Sequence, residues 1–142
     1  MFKGCSNLTG DIPALPDSLT NGEYMFSYTS LNGKITSFGN SLTNGRRMFY
    51  ECTNLTGDIP ALPDSLTRGY RMFYKCSGLN GKITSFGNSL TNGYAMFSGC
   101  SGLTGSIPEL PSNLKDGEDM FYKCSSLTGN IPALPDRLFS GQ

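Results

Sequence analysis

Histidine and tryptophan are both absent from this chain. Without histidine there is no imidazole to act as a general base near neutral pH or as a nitrogen ligand for a metal. Cysteine occurs five times, an odd number, and never as C-x-x-C. Zinc-ligand spacing is therefore missing, and a fully paired disulfide framework is excluded within one chain. Charge is scarce: charged residues make up 15% and the net charge is +0. No basic or acidic tract invites nucleic acid or an anionic membrane. No apolar run is long enough to cross a bilayer. Glycine-rich phosphate loops and calcium-binding nonapeptide repeats are missing too. The first residues are already repeat and carry no secretory leader pattern. That fits a cytoplasmic chain, a mature or excised piece, or export by a route this sequence does not show. The expectation is a protein with no enzymatic activity, no cofactor, no metal, no nucleic-acid partner and no insertion into a membrane.

What the chain does have is one sentence said six times. Met-Phe opens units 1–24, 25–47, 48–71, 72–95, 96–119 and 120–142, and all six methionines sit there. Behind it run a leucine column (Leu8, Leu31, Leu55, Leu79, Leu103, Leu127) and an isoleucine column (Ile12, Ile35, Ile59, Ile83, Ile107, Ile131). Two further apolar columns follow, starting at Leu15 and Leu19, and a glycine column begins at Gly22. A period near 24 is the signature of a solenoid, because one such unit cannot bury its apolar residues without neighbours. Helix is ruled out where Leu8, Ile12, Leu15 and Leu19 would share a face, since Pro13 and Pro16 interrupt it. The sequence predicts a mainly β repeat solenoid of short parallel strands and turns, with a 3₁₀ turn near Met-Phe-x-x-Cys. The glycine column suits positive φ or close backbone approach.

The units come in two kinds. Asn7–Thr20 is identical to Asn54–Thr67, and Leu31–Gly45 is identical to Leu79–Gly93. We call the first kind A and the second B; their order is A, B, A, B, then two A-like units. Unit 2 is one residue short between Met25 and Leu31 and lacks the cysteine.

Three columns invite chemistry. Cys5, Cys52, Cys76, Cys100 and Cys124 share one position. Side chains in register point the same way, so these read as buried free thiols behaving as small hydrophobes. Asp11, Lys34, Asp58 and Lys82 alternate acid and base at one position, and the last two units place Ser106 and Asn130 there. This reads as a ladder of charge pairs setting register. Asp11 and Asp17 are the one pair of carboxylates worth testing as acid and base, but they recur as a lattice and not as one site.

Two stretches vary freely between units whose core columns barely change. One follows the glycine and holds Tyr24, Arg46, Arg47, Tyr70, Arg71 and Tyr94; the other follows Met-Phe and holds Tyr50, Tyr74 and Tyr122. Tyrosine and arginine are the residue types that carry interface energy, so these nine are the candidate interaction surface.

The string M-F-x-x-C-x-x-L-T-G-x-I-P-x-L-P-x-x-L-x-x-G resembles the BspA-like leucine-rich repeats of bacterial and protozoan cell-surface proteins. The resemblance covers the whole chain. It implies a right-handed leucine-rich-repeat solenoid outside a cell, with adhesion or extracellular protein ligands as the looser implication.

The first and last units read like interior units, with no distinct caps, and LFSGQ followed by MFKGC makes an ordinary unit boundary one residue short. The chain is therefore expected to bind itself head to tail, each subunit continuing its neighbour's solenoid in a filament. At the joint, Cys124 meets Cys5, Asn130 meets Asp11, Ile131 meets Ile12 and Leu134 meets Leu15. The alternative is a ligand-binding, adhesive stretch of a larger surface protein.

Overall fold

The computed structural model describes residues 1–141. Successive units pair through parallel backbone contacts between residues 22 to 24 positions apart. One such line passes through all six units: Asn21, Asn44, Arg68, Asn92, Asp116 and Ser140 are bridged in order. The amides of Gly22, Gly45, Gly69, Gly93 and Gly117 each donate to the bridged carbonyl of the next unit at 2.8–2.9 Å. The chain then turns through Met-Phe, where bonds such as Met48 N to Gly45 O (3.0 Å) and Cys52 N to Phe49 O (3.1 Å) close single turns. In place of the expected short strands and 3₁₀ turn, the described residues hold isolated bridges and turns, with neither a helix nor an extended strand.

Proline explains why the second line of pairing is broken. Between an A unit and the B unit after it, Ile12 bridges Ile35 and Ile59 bridges Ile83. Each such joint is stitched from both sides. Ile12 N donates to Lys34 O (2.8 Å) and Leu15 N to Ser37 O (3.2 Å), while Thr36 N returns a bond to Ile12 O (3.0 Å). From B to the following A unit, the residue equivalent to Thr36 is Pro60, which has no N–H to give. No bridge joins Ile35 to Ile59 or Ile83 to Ile107 among the described residues. Single bonds remain there, Thr56 N to Gly33 O (3.0 Å) and Thr104 N to Gly81 O (2.9 Å). The stack is thus made of tight pairs, 1 with 2 and 3 with 4, each joined more loosely to the next unit up the stack.

The glycine column turns out to serve close approach. A Cβ on Gly22 would lie 2.7 Å from Met48 Sδ, and one on Gly45 would lie 2.6 Å from Met72 Sδ. From unit 3 onward, the methionine that opens a unit fills the space left by the glycine two units earlier. Positive φ falls instead on glycines outside that column (Gly4, Gly10, Gly57, Gly99, Gly105 and Gly129) and on non-glycine residues: Tyr24, Arg47, Arg71, Ala95 and Asp119 just before Met, and Tyr28, Glu51, Lys75 and Lys123 just before the cysteine position.

The core follows the columns. Phe26, Phe49, Phe73 and Phe97 stack with ring centroids 5.2–5.5 Å apart. Such offset pairs add about 0.5–1.5 kcal/mol each beyond area burial. Met48, Cys52, Leu55, Ile59 and Leu66 are wholly buried in unit 3, as are Met72, Cys76, Leu79 and Leu90 in unit 4.

Candidate interaction surfaces

The thiols form a hydrogen-bonded line as well as a packed one. Cys52 Sγ donates to Phe26 O (2.9 Å), Cys76 to Phe49 O (3.0 Å), Cys100 to Phe73 O (2.9 Å) and Cys124 to Phe97 O (3.1 Å). In unit 2 the place is held by buried Thr29, whose hydroxyl lies 3.5 Å from Cys52 Sγ. Burial pushes the thiol pKa values up, that of Cys124 to about 11, that of Cys100 further, and that of Cys76 well above the ordinary value. Burial is not uniform along the column: Cys5 is exposed and Cys124 half-buried.

The acid–base ladder works differently from the expected ion pairs. Asp11 Oδ1 accepts from the backbone N–H of Lys34 (2.7 Å), and Asp58 Oδ1 accepts from that of Lys82 (2.7 Å). The lysine ammonium groups make no ion pair with these carboxylates among the described residues. Asp17 Oδ1 likewise accepts from Asn40 N (3.1 Å). Asp11 and Asp17 each anchor the next unit's backbone, so neither is poised as an acid or a base. Among the described residues no group of three His, Cys, Asp or Glu side chains is placed to hold a metal.

Eight of the nine variable tyrosines and arginines come together on one side of the stack. Tyr50 and Tyr74 stack at 4.9 Å, and Tyr70 and Tyr94 stack at 5.1 Å. Between these two columns lie the guanidinium groups. Arg47 sits 5.4–5.6 Å from the ring centroids of Tyr24, Tyr50 and Tyr70. Arg71 sits 5.2–5.6 Å from those of Tyr70, Tyr74 and Tyr94. Arg47 also donates to Tyr24 Oη at 2.7 Å. Burial works against its charge, but that bond and Tyr70 outweigh it, and its pKa lies above the ordinary arginine value. Tyr50 is raised as well, by burial first and then by Glu51. Arg46 lies 5.4 Å from the Tyr70 ring centroid and also forms an ion pair with Glu23 (2.8 Å). Tyr122 stands away from the cluster, beyond Ser98, and is exposed with Lys123 over its ring. Glu23, Glu51, Lys3 and Lys75 stand in the same variable stretches, but choosing tyrosine and arginine alone left them out, although Lys3 and Lys75 lie over Tyr24 and Tyr74. Their unit-to-unit variation was the available signal.

The two ends present apolar grooves. One is lined by Phe2, Leu8, Ile12, Leu15 and Met25; the other by Leu110, Met120, Phe121, Ile131 and Leu138. Equivalent residues differ sharply between the ends. Ile131 is 83% exposed and Leu134 64%, whereas Ile12 is 0% and Leu15 9%. Met1, at 87%, shows the reverse against buried Met120. The columns of Ile12 and Leu15 are covered by the unit that follows, the methionine column by the unit that precedes. The first face therefore offers Met1, Phe2 and Leu8, and the last offers Ile131 and Leu134. Asp11 and Asn130 are exposed.

Repeated units, hydrogen-bonded in register and carrying continuous apolar, thiol and aromatic columns, define a tandem-repeat protein. The model of the BspA type leucine-rich repeat region matches in six copies over residues 1–104 and 45–135. The chain belongs to the BspA-type leucine-rich repeat family. Such repeats are generally binding or structural modules and not enzymes. No curated protein and no solved structure matches the chain.

Proposed function

We propose that the chain is a right-handed solenoid that assembles head to tail, at a cell surface, into a non-covalent fibre. The observation behind this reading is the complementarity of the two apolar end faces. Each exposes what the other's equivalent buries, and both belong to columns that pack at every interior joint. The joint between units 5 and 6 supplies the pattern for an A-like unit stacking on another. Its bonds include Gly117 N to Ser140 O (2.8 Å) and Thr128 N to Gly105 O (2.9 Å). A second copy docked on unit 6 would accept from the amides of Phe121, Lys123 and Gly141, as Met120, Tyr122 and Ser140 accept from the preceding unit. Asn130, at the position of Asp11, would cap the Asp11 amide of that copy as Asp11 caps Lys34, without repulsion between carboxylates. Cys124 would lie behind Cys5. The contact joins different surfaces, so it propagates unless rotation closes a ring.

Sedimentation velocity and negative-stain microscopy at micromolar concentration test this. Fibres, or a size distribution that grows with concentration, are expected. A monodisperse monomer over a hundredfold concentration range overturns the reading. Ile131→Lys should abolish assembly and leave the far-ultraviolet circular dichroism unchanged. The tyrosine–arginine side favours a second reading, a binding segment of a larger surface protein.

A further inference from the structure

We propose that the tyrosine–arginine side of the stack is a docking surface for an extended, acidic segment of another protein. This does not depend on end-to-end assembly, because the surface runs along the stack and leaves both end faces clear.

The rings leave little of their faces open. Tyr50 against Tyr74 and Tyr70 against Tyr94 are within 12° of parallel, so their faces cover one another. The remaining faces meet guanidinium groups. A sugar ring needs an open aromatic face, and this surface has few to give. Ring edges and phenolic hydroxyls are what remain outside. The edges are the electropositive part of an aromatic ring, and the hydroxyls donate.

The charge has the same sign. Arg46 and Lys75 are answered by Glu23 and Glu51. Arg47 and Arg71 have no carboxylate partner among the described residues. Two fixed positive charges remain, one unit apart, in a field of donors. Both arginines hold left-handed backbone, φ +50°, and both Nε atoms are buried against rings without a hydrogen-bond partner. The planes are thus set before a ligand arrives, which lowers the cost of ordering on binding. Carboxylates are the complementary groups, since a guanidinium offers them a planar fork. In an extended chain, alternate side chains on one face stand roughly 7 Å apart, within a glutamate's reach of two guanidinium groups on units about 5 Å apart. Two charges do not suit a long polyanion, whose affinity comes from neutralising many phosphates or sulfates at once.

The test uses three fluorescein-labelled twelve-residue peptides: alternating Glu-Ser, alternating Gln-Ser and alternating Lys-Ser. Fluorescence anisotropy against the whole chain should show the Glu-Ser peptide binding at least tenfold more tightly than the Gln-Ser peptide, and no binding of the Lys-Ser peptide. The Arg47→Gln, Arg71→Gln double variant should erase the difference at unchanged melting temperature. Where that variant fails to fold, Arg47→Lys with Arg71→Lys keeps the charge but not the fork, and should weaken the Glu-Ser peptide several-fold. Equal affinity for the Glu-Ser and Gln-Ser peptides overturns the proposal with wild-type protein alone. So does a sulfated polysaccharide that binds more tightly than the Glu-Ser peptide and displaces it.

Discussion

Asp58 and Ile59 are neighbours in the chain and opposites in surroundings. Ile59 is wholly buried and bridged to Ile83, so Ile59→Asp places an unpaired carboxylate in the core, at a cost of several kcal/mol. Asp58 is exposed and accepts one backbone N–H, so Asp58→Ala should cost about 1 kcal/mol. Thermal melts separate the two, and equal melting would refute the assignment of inside and outside. The thiols make a second contrast. In the unassembled Ile131→Lys chain a thiol reagent should label Cys5 quickly, leave Cys52, Cys76 and Cys100 untouched, and find all five after denaturation. A raised thiol pKa means that the folded state keeps its protons where the unfolded state loses them. Stability from this source is intact below the ordinary value of 9.0 and falls as pH rises toward about 11, the value for Cys124. Denaturant midpoints measured from pH 8 to pH 11 should therefore decline, and a flat profile would contradict the burial. At this scale the sequence showed which residues recur but not what they face. Asp11 and Lys34 were legible as a charged ladder. That the carboxylate would choose the lysine's backbone over its ammonium was not, because residue type says nothing about which donor lies nearer.

At the scale of the unit, the 24-residue period and its buried columns were readable directly, whereas the strands were not. Alternating apolar residues usually announce a ladder, but the prolines after each A-unit isoleucine cut the ladder to single bridges. The positive-φ sites were hidden for a similar reason: glycine marks only Gly4 and Gly99 in a column that Tyr28, Glu51, Lys75 and Lys123 also occupy. Thr36→Pro copies the A unit's missing donor into a B unit, removing the bond to Ile12 O. It should cost about 1–3 kcal/mol by chemical denaturation, against almost nothing for Thr36→Ser. Glu51→Gly and Glu51→Val both lose the ion pair with Lys75, so the difference between them reports the left-handed backbone alone. The glycine variant should be more stable by about 1–2 kcal/mol. Equal midpoints would mean that this turn relaxes in solution.

Over the whole molecule, the variable tyrosine and arginine columns were visible as a set of positions, and their gathering on one side came from stacking the units. The inequality of the two ends was not visible. Ile12 and Ile131 are the same letter in the same column, and only the direction in which side chains lean decides which of them is covered. The alternation of tight and loose joints has a mechanical consequence. Pulled along its axis, the stack should behave like a perforated strip, parting first where proline withholds a hydrogen bond. The lengths released between tears would be those of unit pairs, 47 residues for 1–47 and 48 for 48–95, and not of single units. At roughly 3.3–3.6 Å per residue each tear would free about 16 nm of chain. A stretched fibre of this kind would give way in steps, and each pair left intact would still hold its own core closed.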